Sequence, residues 1–243
     1  MLCFIVEVIF LVIFFILGIP IMLVEWVIGK FSPRTKDIHC LRLVQFGFKA
    51  MLWIGRIKTT VIGEEHVPKD QAVLYVANHR DAFDVPLTYS RCPGLTGFVA
   101  KKELLQWPFL RDWMKALYCL FLDRTDIRAG MKTILQGIEY IKSGISIFIF
   151  PEGTRSKTDE MLPFKEGSLK MAEKTGCLII PVAITNSANI FNNHFPKIKP
   201  THVILEYGTP IDPKALSKEE RKFLGAYAQK RIQEMLDKNA SLV

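Results

Sequence analysis

Residues 2–24 form a long apolar stretch that limits the folds open to this chain more than any other feature of the sequence. Outside the apolar residue types, the stretch contains only Glu7, Gly18 and Pro20. A helix of this length either crosses a bilayer or enters one leaflet and turns back at a proline kink, and both arrangements stay open. A secretory signal peptide does not fit, because no basic residue precedes the stretch and no small-x-small cleavage site follows it. The sequence therefore predicts attachment to a membrane through this segment.

The distribution of charge supports a membrane as partner. The chain carries a formal net charge of +8, and residues 1–58 contain seven Lys or Arg against three Asp or Glu. Three of these basic residues (Lys30, Arg34 and Lys36) follow the apolar stretch, which by the positive-inside bias predicts that the rest of the chain lies on the cytoplasmic face. The remaining positive charge suits membrane lipids with anionic headgroups and phosphate-bearing substrates. Nucleic acid is excluded as a partner, because the sequence contains no recognisable nucleic-acid motif.

Residues 38–57 mix apolar and basic residues in the pattern of an amphipathic helix. Two placements are open for this helix: at the membrane interface with its basic side chains toward the headgroups, or packed on the rest of the protein. A turn is expected before it, at residues 31–34, where Ser-Pro interrupts the helical pattern. We therefore divide the chain into an N-terminal membrane-anchoring helical segment (1–56) and a domain that contains the functional motifs (57–243).

From residue 57 onward, short apolar runs alternate with helical patterns. Strands are predicted at 57–62, 72–77, 96–100, 117–122, 145–150, 177–184 and 202–207. Helices are predicted at 86–89, at 107–116, after an Asp126 cap up to Gly144, at 165–175, and at the C-terminus behind a Ser217/Glu220 capping box. Strands separated by helices favour an α/β fold with a largely parallel sheet flanked by helices on both faces.

A short polar segment, Asn78 to Asp84, directly follows the predicted strand 72–77. Pro86 suits the first turn of a helix, so we predict a strand–loop–helix corner with Asp84 as the helix N-cap. At such a corner, His79 projects from the carboxyl end of the strand and Asp84 closes back on the imidazole. This is the arrangement of a general base that a carboxylate holds in one tautomer. A solvated histidine beside a capping aspartate is the alternative interpretation.

A second polar segment, Phe150 to Ser156, follows the apolar run 145–150 and contains Pro-Glu-Gly-Thr-Arg. The guanidinium of Arg155 can grip a phosphate through two parallel hydrogen bonds. Lys101 and Arg124 also come directly after predicted strands. Because ligands collect beyond the carboxyl ends of parallel strands, these polar segments predict one shared site. A base beside several cations suits a hydroxyl nucleophile on a phosphorylated molecule.

Together these segments resemble the glycerolipid acyltransferase family, in particular the 1-acylglycerol-3-phosphate (lysophosphatidate) acyltransferases. That family carries His-x4-Asp, an Arg-bearing segment, Pro-Glu-Gly-Thr-Arg and an apolar segment with a proline, in that order. The same order occurs here as His79/Asp84, Phe121–Arg124, Pro151–Arg155 and Ile179–Val182. The resemblance covers roughly residues 60–210, with no departure at the motif positions.

The resemblance implies transfer of a fatty acyl group from acyl-CoA or acyl-carrier protein to the 2-hydroxyl of lysophosphatidate, giving phosphatidic acid without a cofactor. In that reaction His79 is the base, and Asp84 stabilises the imidazolium. The implied phosphate-binding residues are Lys101, Arg124, Glu152, Gly153, Thr154 and Arg155, and Pro181 is implied on the acyl-donor side. Three alternatives stay open: Lys101 as a solvated surface lysine, Arg124 as the ion-pair partner of Asp123, and Pro181 as a strand residue that sets the local shape without contacting a ligand.

Other functions fit parts of the pattern. The nearest is the same fold acylating another lysolipid or glycerol-3-phosphate. A lipid hydrolase would need a Gly-x-Ser-x-Gly elbow, which is absent from the sequence, and a metal site on His79 and Asp84 lacks further ligands at metal spacing. A non-catalytic phospholipid-binding protein would not need an intact His/Asp pair. Five cysteines at irregular positions supply no evident relay nucleophile, so we expect direct acyl transfer.

Overall fold

The computed structural model describes residues 1–158 and 160–243, without the side chain of residue 127, and it has an α/β architecture. The strands are β1 (Lys58–Ile62), β2 (Leu74–Ala77), β3 (Thr96–Lys101), β4 (Leu120–Leu122), β5 (Ser146–Ile149), β6 (Ile179–Thr185) and β7 (His202–Tyr207). The helices are α1 (Leu2–Phe31), α2 (Pro33–Ile54), α3 (Asp84–Tyr89), α4 (Pro108–Ala116), α5 (Ile127–Lys142), α6 (Lys170–Thr175), α7 (Lys218–Lys222) and α8 (Leu224–Asn239). This alternation of strands and helices confirms the predicted fold class.

Within the described residues, the strands form one seven-stranded sheet in the order β1-β7-β6-β2-β5-β3-β4. Neighbouring strands run parallel except for β6 and β7, which are antiparallel. Every residue of β2, β5 and β6 is buried. Helices cover both sides of these central strands, which is why their sequences are nearly continuous apolar runs. The largely parallel sheet is as predicted.

The two faces of the sheet carry different sets of helices. On one face, α2 and α3 contribute Leu41 and Leu87 to a core cluster. On the other face, α5, α6 and α8 contribute Ile138, Met171 and Ile232 to a second cluster. Apolar residues spaced at the helical period direct one stripe of each helix onto the sheet and leave the polar stripe in water.

Helices α1 and α2 form an antiparallel hairpin with a single residue, Ser32, between them. At one end the Cys3 thiol donates to the carbonyl of Ile54, and near the other end His39 lies 3.2 Å from Glu25. The connection is shorter than the predicted turn, because the residues on both sides of Ser32 already belong to helices.

Helix α2 packs into the domain that follows it. Leu41 is fully buried, and the side-chain amide of Gln45 donates to the carbonyls of Tyr89 and Cys92 at 3.1 and 2.8 Å. Of the two placements left open by the sequence, the structure therefore has the packed one. The helical segment 1–56 and the domain share one core.

Helix α1 lies along the domain and leaves an apolar face exposed. Phe4 stacks on Phe191 with the ring centroids 5.7 Å apart, and Gly18 faces Trp113 of α4. Pro20 lies inside the helix without ending it. The exposed face includes Ile5, Ile9, Val12, Ile16 and Leu23. With a mean hydropathy of 3.1 over its most apolar window, α1 is the described helix that is long and apolar enough to cross a membrane.

The start of α3 differs from the prediction. Asp84 lies in the first turn of the helix, and Phe83 occupies the N-cap position. The prediction that Asp84 caps the helix is therefore wrong. Its carboxylate turns back to the preceding loop, where it accepts the backbone N–H groups of Arg80 and Asp81.

The C-terminal region also differs from the single helix that was predicted. Ser217 and Glu220 do form the capping box, but it caps the short helix α7. Helix α8 starts separately, and its first N–H groups, those of Gly225 and Ala226, donate to the Glu166 carboxylate at 2.8 and 3.1 Å. This contact between distant segments has no local sequence signature.

Candidate active site

Four adjacent parallel strands deliver the predicted polar segments to one edge of the sheet. β2, β5, β3 and β4 lie side by side, so the residues that follow their carboxyl ends meet. Six predicted site residues line a single cavity of about 640 Å³: His79, Lys101, Arg124, Gly153, Thr154 and Arg155. The structure thus brings the base and the cations together.

His79 has the geometry of a general base. Its Nδ1 lies 2.8 Å from Oδ2 of Asp84, which is fully buried, while the His79 side chain remains 19% exposed. Because a carboxylate oxygen accepts, Nδ1 carries the proton and Nε2 is the free acceptor. The imidazole stacks on Phe150 with the ring centroids 4.2 Å apart, which restricts the plane of the ring. Nε2 is therefore the nitrogen available to take a proton from a group in the cavity.

The same oxygen of Asp84 organises the loop that carries the base. Besides the imidazole of His79, Oδ2 accepts the N–H groups of Arg80 and Asp81 at 2.7 and 2.8 Å. The Asp81 carboxylate is itself buried, which raises its pKa, and it accepts the N–H of Phe83 at 2.9 Å. These bonds fold the loop tightly around the carboxylate and hold it beside the imidazole.

Glu152 joins the two motif segments. Its side chain is buried, with Oε1 accepting the N–H of His79 at 2.7 Å and Oε2 accepting the N–H of Leu162 at 2.8 Å. Burial raises the pKa of Glu152, and these two hydrogen bonds oppose that shift. Since both carboxylate oxygens bind backbone, the observed position of Glu152 is that of a structural bridge and not of a phosphate ligand.

Lys165 lines the cavity together with the predicted cations, although the sequence did not single it out. Gly153 has φ +76°, and a side chain at that position would meet the Lys165 ammonium. The glycine therefore provides both the left-handed turn and the space for the lysine. The sequence offered one indication of its position: Lys165 begins the segment that was predicted as the helix after the second motif.

The carboxylate next to Arg124 in the sequence is engaged elsewhere. Asp123 Oδ2 accepts from Lys102 at 2.7 Å, and Oδ1 accepts the N–H of Thr125 at 2.9 Å. The contact with Lys102 is the main reason that the pKa of Asp123 lies well below its ordinary value. In the part of the chain that the structure describes, Arg124 thus lines the cavity without Asp123 as its ion-pair partner.

The rest of the cavity is largely apolar and lies against the N-terminal hairpin. Helix α1 contributes Phe10, Leu11, Phe14 and Phe15, and helix α2 contributes Val44, Gly47, Phe48 and Met51. Gly47 permits the close approach of the helices, because a side chain there would meet the ring of Phe14. This role could not be predicted from the sequence, because an aromatic residue in an apolar helix gives the same sequence pattern whether it faces lipid or a cavity.

Pro181 lies away from this cavity. It is buried within β6, opposite Val76 of β2, and it lies against Gly208 beside a separate pocket. Its position in the structure is that of a packing residue, and the expectation of an acyl-donor contact stays a prediction.

Cys119 and Ser168 also line the cavity and carry nucleophilic groups. Burial raises the pKa of the Cys119 thiol to about 11, so the thiol is protonated at neutral pH. Among the described residues, no group of three or more His, Cys, Asp or Glu side chains is placed to hold a metal ion.

Residues 58–185 match the family described as Acyltransferase, which is more than half of the chain and includes both motif segments. This chain belongs to the acyltransferase family. The match extends from β1 to the end of β6, so it covers the strands that carry the site of this acyltransferase.

Relatives of this acyltransferase carry the name 1-acyl-sn-glycerol-3-phosphate acyltransferase. One from Borreliella burgdorferi is 34% identical over 192 residues, which is 78% of this chain and 76% of that protein. One from Saccharomyces cerevisiae is 31% identical over 180 residues, 73% of this chain and 58% of that protein. A crystal structure of the 1-acyl-sn-glycerophosphate (LPA) acyltransferase, PlsC, from Thermotoga maritima has a TM-score of 0.83 at 24% identity. It covers 98% of this chain and 95% of that one, so the shared fold includes the N-terminal helices.

Glu152→Gln is expected to lower the free energy of unfolding by about 1–3 kcal/mol, because the new amide would turn a donor toward one of two backbone N–H donors. Turnover should fall as well, since one of those donors belongs to His79. Denaturant unfolding in detergent and an acyl-transfer assay measure the two effects. The matched control is Glu139→Gln on the exposed face of α5, and similar losses in both variants would contradict the bridging role.

Proposed function

We propose that this acyltransferase moves a fatty acyl group from acyl-CoA or an acyl-carrier protein to the 2-hydroxyl of 1-acylglycerol-3-phosphate, giving phosphatidic acid. The observation that carries the proposal is the His79–Asp84 pair at a cavity with one cationic part and one apolar part. A lysophosphatidate has a matching phosphate, hydroxyl and hydrocarbon chain. The names of the relatives support the same substrate.

In this mechanism Nε2 of His79 takes the proton of the substrate hydroxyl as the hydroxyl oxygen attacks the thioester carbonyl. The new C–O bond forms, the C–S bond breaks, and the departing thiolate receives the proton from the imidazolium. Asp84 stabilises the imidazolium between these steps through its contact with Nδ1. Electrons and protons balance between the two substrates, so the proposal needs no cofactor.

The substrate phosphate is proposed to bind the cations at the strand ends. Arg124, Arg155, Lys101 and Lys165 all line the cavity that contains the base. Arginine contributes a planar fork that matches two phosphate oxygens, and lysine contributes a compact charge. These cations together offset the phosphate charge, which makes an anionic headgroup a better fit than a neutral one.

The hydrocarbon part of the substrates is proposed to lie in the apolar part of the cavity, between the domain and the hairpin of α1 and α2. Aromatic and aliphatic side chains form this wall, so each methylene group is about 0.8 kcal/mol more stable there than in water. This arrangement allows the phosphate-bearing headgroup and the membrane-embedded hydrocarbon chain of one substrate to bind next to the same base.

Direct transfer is favoured over an acyl-enzyme intermediate. A relay needs an activated nucleophile, and the cavity thiol, Cys119, is held in its protonated form by burial. The base is also already in use, because Nε2 of His79 takes the proton of the substrate hydroxyl.

The test uses the full chain in detergent or bicelles with radiolabelled acyl-CoA. Label should enter phosphatidic acid when lysophosphatidate is present, and no label should stay on denatured protein when it is absent. Transfer to glycerol-3-phosphate or to another lysolipid in preference to lysophosphatidate would overturn the substrate assignment. Stoichiometric labelling of one Ser or Cys would overturn direct transfer.

His79→Ala is expected to lower turnover by roughly 10²–10⁴-fold, the range for loss of a general base, with substrate binding largely kept. Product formation and the affinity for lysophosphatidate are measured side by side. Turnover close to that of the unaltered protein would remove His79 from the mechanism.

Arg155→Ala and Arg124→Ala are each expected to raise the KM for lysophosphatidate by roughly tenfold, because a charge-assisted contact with the phosphate is lost. The KM for acyl-CoA should change much less. The matched control is Lys157→Ala, since Lys157 is exposed and follows the same motif. Equal shifts of both KM values would contradict a role in headgroup binding.

The exposed apolar face of α1 is proposed to insert into the membrane, with the rest of the chain on the cytoplasmic face. The face is continuous along the helix and is followed by Lys30, Arg34 and Lys36, the residues on which the positive-inside argument rests. Because the opposite side of α1 lines the cavity, insertion brings the cavity to the lipid surface.

Val12→Asp with Ile16→Asp should release much of the protein from membranes, since both side chains are more than half exposed on α1 and a charge there opposes insertion. Sedimentation with anionic vesicles measures the effect. Met131→Asp with Leu135→Asp changes an equally exposed pair at the same helical spacing on α5 and should leave sedimentation unchanged. Release by both pairs would show a general loss of folding instead of a membrane face.

A further inference from the structure

The loop between β6 and β7 reaches the site at Asn192. The side-chain Nδ2 of Asn192 donates to the carbonyl of Arg80 at 2.5 Å, and Oδ1 accepts from Nη1 of Arg155 at 3.1 Å. Its backbone N–H donates to Oδ2 of Asp81 at 2.6 Å. Asn192 therefore contacts both motif segments at once, the loop that carries the base and the loop that carries the phosphate-binding arginine.

The contact between Asn192 and Arg155 matters because the arginine side chain is long and exposed. An unrestrained arginine must give up rotamer freedom when it grips a phosphate, and that loss weakens binding. The carbonyl oxygen of Asn192 holds one terminal nitrogen of the guanidinium and leaves its other donors for a ligand. The arginine is thus partly oriented before the substrate arrives.

Asn192 is itself held firmly. Its neighbour Phe191 stacks on Phe4 of helix α1 and packs edge-on against Phe83, with centroid distances of 5.7 and 6.4 Å. Asp81, which binds the Asn192 backbone, is fully buried. Asn192 therefore has a fixed position relative to the base. From that position it can orient the side chain of Arg155.

We propose that Asn192 is a positioning residue that sets the geometry of Arg155 for binding the substrate phosphate. The proposal rests on the proposed function, because the phosphate role of Arg155 belongs to it. Asn192 lies beyond residues 58–185, the part of the chain that matches the family. Between Asn186 and Asn193 the sequence contains four asparagines, and no motif distinguishes Asn192 from the other three.

Asn192→Ala in the full chain is expected to raise the KM for lysophosphatidate by roughly tenfold, since misplacing a binding group by a fraction of an ångström is costly. The KM for acyl-CoA should change by less than about twofold, and kcat by less than about threefold. The matched control is Asn193→Ala, whose side chain donates to Asn189 at 2.9 Å and is exposed. Thermal unfolding is recorded for each variant, and Asn192→Ser carries the same expectation if the alanine variant does not fold.

A double-mutant cycle with Arg155→Ala separates positioning from general stability. If Asn192 acts through Arg155, Asn192→Ala should add little to the KM effect once the arginine is absent. Additive effects, equal shifts for both substrates, or identical behaviour of the Asn192 and Asn193 variants would each overturn the proposal.

Calorimetric binding of a 2-deoxy ether analogue of lysophosphatidate distinguishes failure of this proposal from failure of the proposed function. If the unaltered protein binds the analogue but transfers no acyl group to lysophosphatidate, the proposed function is wrong, and the affinities of the Asn192 and Asn193 variants for the analogue still judge the positioning role. A roughly tenfold weaker affinity for Asn192→Ala alone supports it, and equal affinities refute it.

Discussion

The buried carboxylate of Glu152 connects the two strand-end loops on which the site depends. Strand pairing brings β2 and β5 side by side, but β2 ends at Ala77, before the base is reached. Beyond that point the Glu152 carboxylate binds the N–H of His79 on one side and that of Leu162 on the other. Without it, two half-buried backbone donors would lose their partner, and leaving such donors unpaired costs more than the bonds gain. Glu152 thus holds the base and the phosphate loop together, alongside the Ser156 N–H, which donates to the His79 carbonyl at 2.9 Å, and the contacts of Asn192.

The N-terminal hairpin and the site are parts of one structure. Helix α1 presents apolar side chains on all sides, some of which line the cavity while others remain exposed. Helix α2 contacts both α1 and the domain that follows, and Leu41 in it is fully buried. Because both helices line the apolar part of the cavity, the hairpin forms part of the cavity wall. The helices that carry the exposed apolar face therefore also enclose the cavity.

The features that the sequence predicted well are those with a local physical cause. The central strands are apolar runs because both faces are covered, and Asp126 caps α5 by accepting the N–H groups of Arg128 and Ala129. The predicted cap at Asp84 was wrong, because a carboxylate can accept from the loop before it as well as from the helix after it. Local propensity does not decide between these two sets of donors.

The sequence by itself determined the fold class, the long apolar helix and the spacing of His79, Asp84 and Arg155, since each depends on periodicity or on a short motif. Only the tertiary structure decided that Lys165 and Asn192 join the site and that Pro181 does not line the cavity. It also decided which face of α1 lines the cavity. These outcomes depend on which distant segments pack together, and a contact between residues far apart in the chain leaves no pattern in the neighbours of either one.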